Sequence, residues 1–70
     1  MTIYNLDKED RCRIISIPNI SLLESLGIRE GVAVKVKNKQ PLGGPVVLQT
    51  GNRNIAIGKR IAKQIIVEAL

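Results

Sequence analysis

The sequence predicts an all-β domain, a small barrel of five short strands with one short capped helix and a C-terminal helical turn. Three observations lead there. Short apolar runs recur between Gly, Pro and Asn turn signals at close spacing, which is the pattern of a small barrel. The apolar residues are almost all aliphatic, with no Phe or Trp and a single Tyr4, and a core of interdigitating β-branched side chains favours strands. Finally, 70 residues suit a single domain spanning 1–70. A chain of that size buries only about 60% of its unfolded surface, and closing the sheet removes the edges it would otherwise expose.

In chain order, Met1 to Asp10 is a polar segment of mixed charge, with Ile3 and Leu6 reaching into the core as an N-terminal cover. Arg11 to Ile17 is the first strand, with Cys12 and Ile14 on one face and Arg13 and Ile15 on the other. The paired Ile14-Ile15 predicts partial cover on both faces. Pro18 ends the strand, because it has no N–H for the ladder and keeps Ile17 extended.

Ser21 with Glu24 three residues on predicts a capping box. Leu22, Leu23 and Leu26 then place an apolar stripe on a helix over Leu22–Leu26. Gly27 is suited to a left-handed C-cap, and Glu30-Gly31 is a second turn. From there Val32, Val34 and Val36 alternate with Ala33, Lys35 and Lys37, a half-buried strand with one apolar and one basic face. The alternation ends after Val36. Asn38 to Pro45 reads as an ordered loop, Val46 to Gln49 as a strand, and Thr50-Gly51-Asn52 as a primed hairpin turn. Asn54 to Ile57 returns as a strand, Gly58 to Lys63 makes the helical turn, and Ile65 to Glu68 closes the sheet.

Several chemistries lack the residues they require. The chain has no histidine, which removes the commonest general base and the commonest metal ligand together. Cys12, the single thiol, sits in an alternating strand and reads as a buried small hydrophobe; with one cysteine there is no internal disulfide framework. Asp7, Glu9 and Asp10 lie beside Lys8 and Arg11 without the glycine a calcium loop needs, and read as a solvated loop. Glu24 is accounted for by its cap. No metal site, cofactor or enzymatic activity is expected. No apolar run approaches the roughly 18 residues of a membrane span, and no signal-peptide core is visible, so the chain is expected to be cytoplasmic, without direct membrane insertion.

Two surface features remain. Pro41-Leu42-Gly43-Gly44-Pro45 lacks the lysine and following helix of a phosphate-binding loop. It is either a structural turn or a shaped interaction loop, with Leu42 tucked beneath it or offered to a partner. The net charge is +5, with Lys35, Lys37 and Lys39 predicted to form a stripe on one strand face and Arg53, Lys59, Arg60 and Lys63 following. A solvated face that blocks edge pairing is one reading. A nucleic-acid surface is the other, and it lacks aromatic stacking, because Tyr4 is alone and distant in sequence. A proline-rich peptide groove has no aromatic residues to build it.

Leu23, Leu26, Gly27, Ile28, Gly31, Val34 and Val36 resemble the L-x-x-L-G-[IL]-x-x-G-x-x-[IV]-x-V signature of the FeoA family, the ferrous-iron transport protein A. The same SH3-like domain ends some metal-dependent transcriptional repressors. Pro41-Leu42-Gly43-Gly44-Pro45 resembles the family's P-x-G-G-P loop. Ile55-Ala56-Ile57, Ile61-Ala62 and Ile65-Ile66-Val67 resemble its closing segment, and Ile3, Leu6, Cys12, Ile14 and Ile17 its opening one. Two positions depart: Glu9 stands where glycine is usual, and Gly58 where a longer residue is frequent. The resemblance implies an SH3-like five-stranded barrel and a cytosolic accessory module of bacterial ferrous-iron uptake. Its implied partner is the cytosolic GTPase domain of the membrane transporter. Leu42, Gly43 and Gly44, flanked by Lys35 and Lys37, are the expected contact residues. The alternative is a small basic barrel that binds nucleic acid through its lysine face. A weak homo-oligomer is left open.

Overall fold

The computed structural model of the protein describes residues 1–40 and 42–70. A 3₁₀ turn, Ile3–Asn5, precedes strand β1, Arg11–Ser16, and helix α1, Ser21–Ser25. Strands β2, Ala33–Lys39, β3, Val46–Thr50, and β4, Arg53–Ile57, follow, then helix α2, Lys59–Ala62, and strand β5, Ile66–Ala69. They form one antiparallel sheet in the order β4-β3-β2-β1-β5. The sheet curls round a core in which Ile14, Val36, Leu48 and Ile65 are fully buried. Ile3 and Leu6 cover it from the N-terminus as expected. That same segment guards an edge: Ile3 N–H donates to Ile65 O, and Val67 N–H to Met1 O, both at 2.9 Å. The outer side of β5 is therefore paired by main chain rather than left open.

The turn glycines behave as their positions require. Gly27 closes α1 at φ +89, where a Cβ would crowd the backbone. Gly51 takes φ +60 at the first central position of the β3–β4 hairpin. Asn52 stays at negative φ, which makes the turn a type II′.

The predicted capping box does not form. Ile20 is the N-cap and its side chain packs on the core, so Ser21 is already helical and its hydroxyl cannot reach the orphan N–H groups. A side-chain cap appears instead at the 3₁₀ turn, where Asn5 Oδ1 accepts from Thr2 N–H at 2.9 Å and from Thr2 Oγ1 at 3.0 Å. The helical stripe is narrower than expected, with Leu23 buried, Leu26 half-buried and Leu22 exposed.

Two bulges account for the other departures. In β1, Ile14 pairs with Val67 and Ser16 with Ile66. Ile15 is the extra residue, and it is exposed rather than covered. In β2, Val36 pairs with Leu48 and Asn38 with Val47, leaving Lys37 as the extra residue. The strand thus continues to Lys39, past the point where the alternation seemed to end. An inserted residue inverts every facing beyond it. Lys39 consequently pairs with buried Val46 and lies on the core side of the sheet. The continuous lysine stripe predicted over Lys35, Lys37 and Lys39 does not exist.

Candidate interaction site

The loop between β2 and β3 carries Leu42, which is 98% exposed. Of the two readings, tucked or offered, the structure has the side chain offered. Pro41, expected to stiffen the loop from one side, lies outside the described residues; Pro45 stands exposed on the other side. Gly43 takes φ +86. Gly44 is required for a different reason: a Cβ there would lie 2.7 Å from both Cβ and Cγ of Gln40. The loop folds back on its own stem at that point. On its other flank, a Cβ on Gly43 would meet Lys59 Nζ at 3.4 Å, so the first residue of α2 lies directly against the loop.

Lys59 is not alone. Its ammonium lies 5.7 Å from the centroid of the Tyr4 ring, that of Lys63 5.5 Å and that of Lys39 5.0 Å. The bulge at Lys37 delivers Lys39 to this side, and the 3₁₀ turn, packed against α2, delivers the ring. Lys39 Nζ also donates to Leu6 O at 3.2 Å, which fixes the ammonium nearest the ring. A groove alongside is lined by Tyr4, Asp7, Lys8, Lys39 and Gln40. Tyr4 is distant from these lysines in sequence and adjacent to them in space. Sequence separation hid the contact, because it is made by tertiary packing of the N-terminal turn.

Lys35, expected beside Leu42, is occupied elsewhere. Its ammonium lies 2.7 Å from Glu9 Oε2. That hydrogen bond and charge hold the Glu9 carboxyl below the usual carboxylate range, with Lys37 and Lys8 adding smaller pulls. Glu9 itself has φ +78, the left-handed region that favours glycine. It is clamped by main chain, with Glu9 N–H to Val36 O at 2.8 Å and Val36 N–H to Asp10 O at 2.9 Å. The expected site therefore divides: Leu42, Gly43 and Gly44 stand with Lys59, whereas Lys35 and Lys37 stand with Glu9.

The donors fit a transition metal poorly. Cys12 is fully buried, and burial pushes its thiol up to about 11, far from the thiolate a metal binds. Asp10 Oδ2 accepts from Asp7 N–H at 2.9 Å and Glu9 is taken by Lys35. Among the described residues no three His, Cys, Asp or Glu side chains converge. Among them also, no helix is long and apolar enough to cross a membrane.

Comparison with known proteins places this geometry. The FeoA domain model matches residues 1–69. An iron uptake regulatory protein (FeoA) known from its crystal structure is 27% identical over 100% of this chain and 96% of its own, with a TM-score of 0.90. The FeoA of Stenotrophomonas maltophilia, a prokaryotic SH3 domain protein crystallised with zinc, is 25% identical over 97% of this chain and 89% of its own, with a TM-score of 0.82. The manganese regulator SloR shares the fold alone, at 11% identity and a TM-score of 0.84, over 100% of this chain and 34% of its own. No curated protein sequence matches the chain. The five-stranded sheet is thus an SH3-like barrel, and the chain belongs to the FeoA family, which is associated with ferrous-iron transport.

Proposed function

We propose that this domain is a cytosolic, non-catalytic accessory module of ferrous-iron uptake. It acts by protein–protein contact with the GTPase-bearing cytosolic part of the membrane transporter, through the Leu42 loop. The observation that carries the reading is the 98% exposure of Leu42 on a loop whose shape is set by Gly44 packing on Gln40. A leucine held in water has no folding role to explain it, and a preorganised apolar side chain loses little entropy on docking. The rival reading, nucleic acid on a lysine face, is weakened by the bulge that breaks the stripe and by the Glu9 carboxylate on Lys35.

Leu42→Arg tests the proposal. The variant is expected to keep the wild-type thermal transition within about 0.5 kcal/mol, as exposed positions do. It should lose detectable binding to the transporter's cytosolic GTPase domain in calorimetry, and lose complementation of iron uptake. A variant that folds and still complements places the contact elsewhere, on the exposed side of α1 carrying Leu22.

A further inference from the structure

Lys39, at the end of β2, and Lys59 and Lys63, which bracket α2, come from separate elements yet gather their ammonium groups within 5.0–5.7 Å of one ring centroid. Among the described residues the ion pairs are Arg13–Glu68 and Lys35–Glu9, so none of these three cations has a carboxylate partner. Lys8 adds a further positive charge on the adjoining groove wall, and Asp7 is the acid that faces it there. A single ring attracts each cation through its quadrupole but does not remove their mutual repulsion. Bound negative charge would remove it.

The neighbouring loop decides what kind of anion fits. Gly43 abuts Lys59 Nζ, so the loop that carries the fully exposed Leu42 borders the cation cluster. A small free anion gains nothing from Leu42. A nucleobase would need the open ring face that the lysines already cover. A protein surface that rings an apolar pocket with carboxylates uses both features together. We propose that Leu42 and the Tyr4–lysine cluster form one docking surface for an acidic protein segment. Its apolar pocket takes Leu42, and its carboxylates meet Lys39, Lys59 and Lys63. The partner's identity rests on the function proposed above; the face and its chemistry do not.

Two experiments separate the two claims. In the first, a short polyglutamate peptide is titrated into the labelled domain and amide shifts are followed by NMR. Perturbations should centre on Tyr4, Lys39, Gly43, Lys59 and Lys63. Perturbations centred on Arg11, Lys35 and Lys37, or none at all, overturn the assignment of the face. In the second, binding to the transporter's cytosolic GTPase domain is measured against salt. Lys59→Glu/Lys63→Glu should slow association at least about tenfold and flatten the salt dependence, whereas Lys35→Glu/Lys37→Glu should change it less than about threefold. The reverse ranking overturns the proposal. If the peptide maps to this face while the wild-type domain ignores the transporter, the surface stands and the proposed function falls. Tight, Leu42-dependent binding to phosphatidylserine vesicles with no response to the peptide overturns the choice of a protein partner.

Discussion

Lys35 and Lys39 lie on the same strand and meet opposite surroundings. Lys35 faces outward, opposite Arg11 on β1, and Glu9 offsets that like-charge pairing at 2.7 Å. Lys39, beyond the bulge, turns to the core side, caps Leu6 O and joins two other cations on Tyr4. One region is a cation with its counter-charge already present. The other is a set of cations held in place without one. Net charge alone does not distinguish them, yet only the second has electrostatic free energy to gain from a partner. A single inserted residue, Lys37, separates the two.

The largest effect expected from breaking this contrast is at Tyr4. The ring is half-buried against the core and seats all three lysines. Tyr4→Ala should cost about 2 kcal/mol in chemical denaturation, below the range for a fully buried aromatic. Tyr4→Phe should be nearly neutral, because the ring and its quadrupole remain. A costly Tyr4→Phe would mean that the hydroxyl, and not the ring, organises the cluster.

Charge reversal on the two lysines gives a smaller, more direct comparison. Lys39→Glu loses the bond to Leu6 O and sets a carboxylate against that carbonyl, so it should cost about 1–2 kcal/mol. Lys35→Glu repels Glu9 across an exposed contact, where screening by water keeps the effect to a small fraction of that. Equal costs, or the reverse order, would erase the distinction between the two regions.

How far the sequence discloses these regions depends on the range of the interactions involved. Gly27 at the end of α1 and Gly51 in the β3–β4 hairpin were legible because turn chemistry is local. The alternation of Val34 and Val36 was legible because burial on one face has period two. Leu42 on a proline-glycine crest could be singled out, though not whether it was tucked or exposed. The bulge at Lys37 shows in the sequence only as the end of the alternation at Lys37-Asn38-Lys39, which reads equally as the end of the strand; only the pairing with β3 reveals it. Ser21 and Glu24 have the spacing of a capping box, but packing of Ile20 moves the helix start by one residue. Tyr4 joins the lysines through tertiary contact alone. Glu9 showed itself only as a departure from the family's glycine, and its φ of +78 gives the departure its physical meaning.

That position offers the smallest and sharpest test. Glu9 contributes in two opposing ways: its backbone is strained at positive φ, and its carboxylate offsets Lys35. Glu9→Gly removes both. The carboxyl is held below its ordinary value of 4.5, so the pairing adds stability that is fully present above that value. It is lost as pH falls through the lower folded value. The strain does not titrate. At neutral pH the exposed, water-screened pairing offsets part of the strain, so Glu9→Gly should gain less in Tm there than in acid. In acid below the lowered folded value the carboxylate of the wild type is neutralised and strain alone remains, so the glycine variant should lead there by about 4 °C. Thermal unfolding followed by circular dichroism at both pH values checks the sign. A variant that is less stable than the wild type at acid pH would show that the left-handed conformation is not what makes glycine usual at this position. A wild-type-like response at both would mean that Lys35 does not depend on Glu9, and Lys35 would then be as available to a partner as Lys39 is.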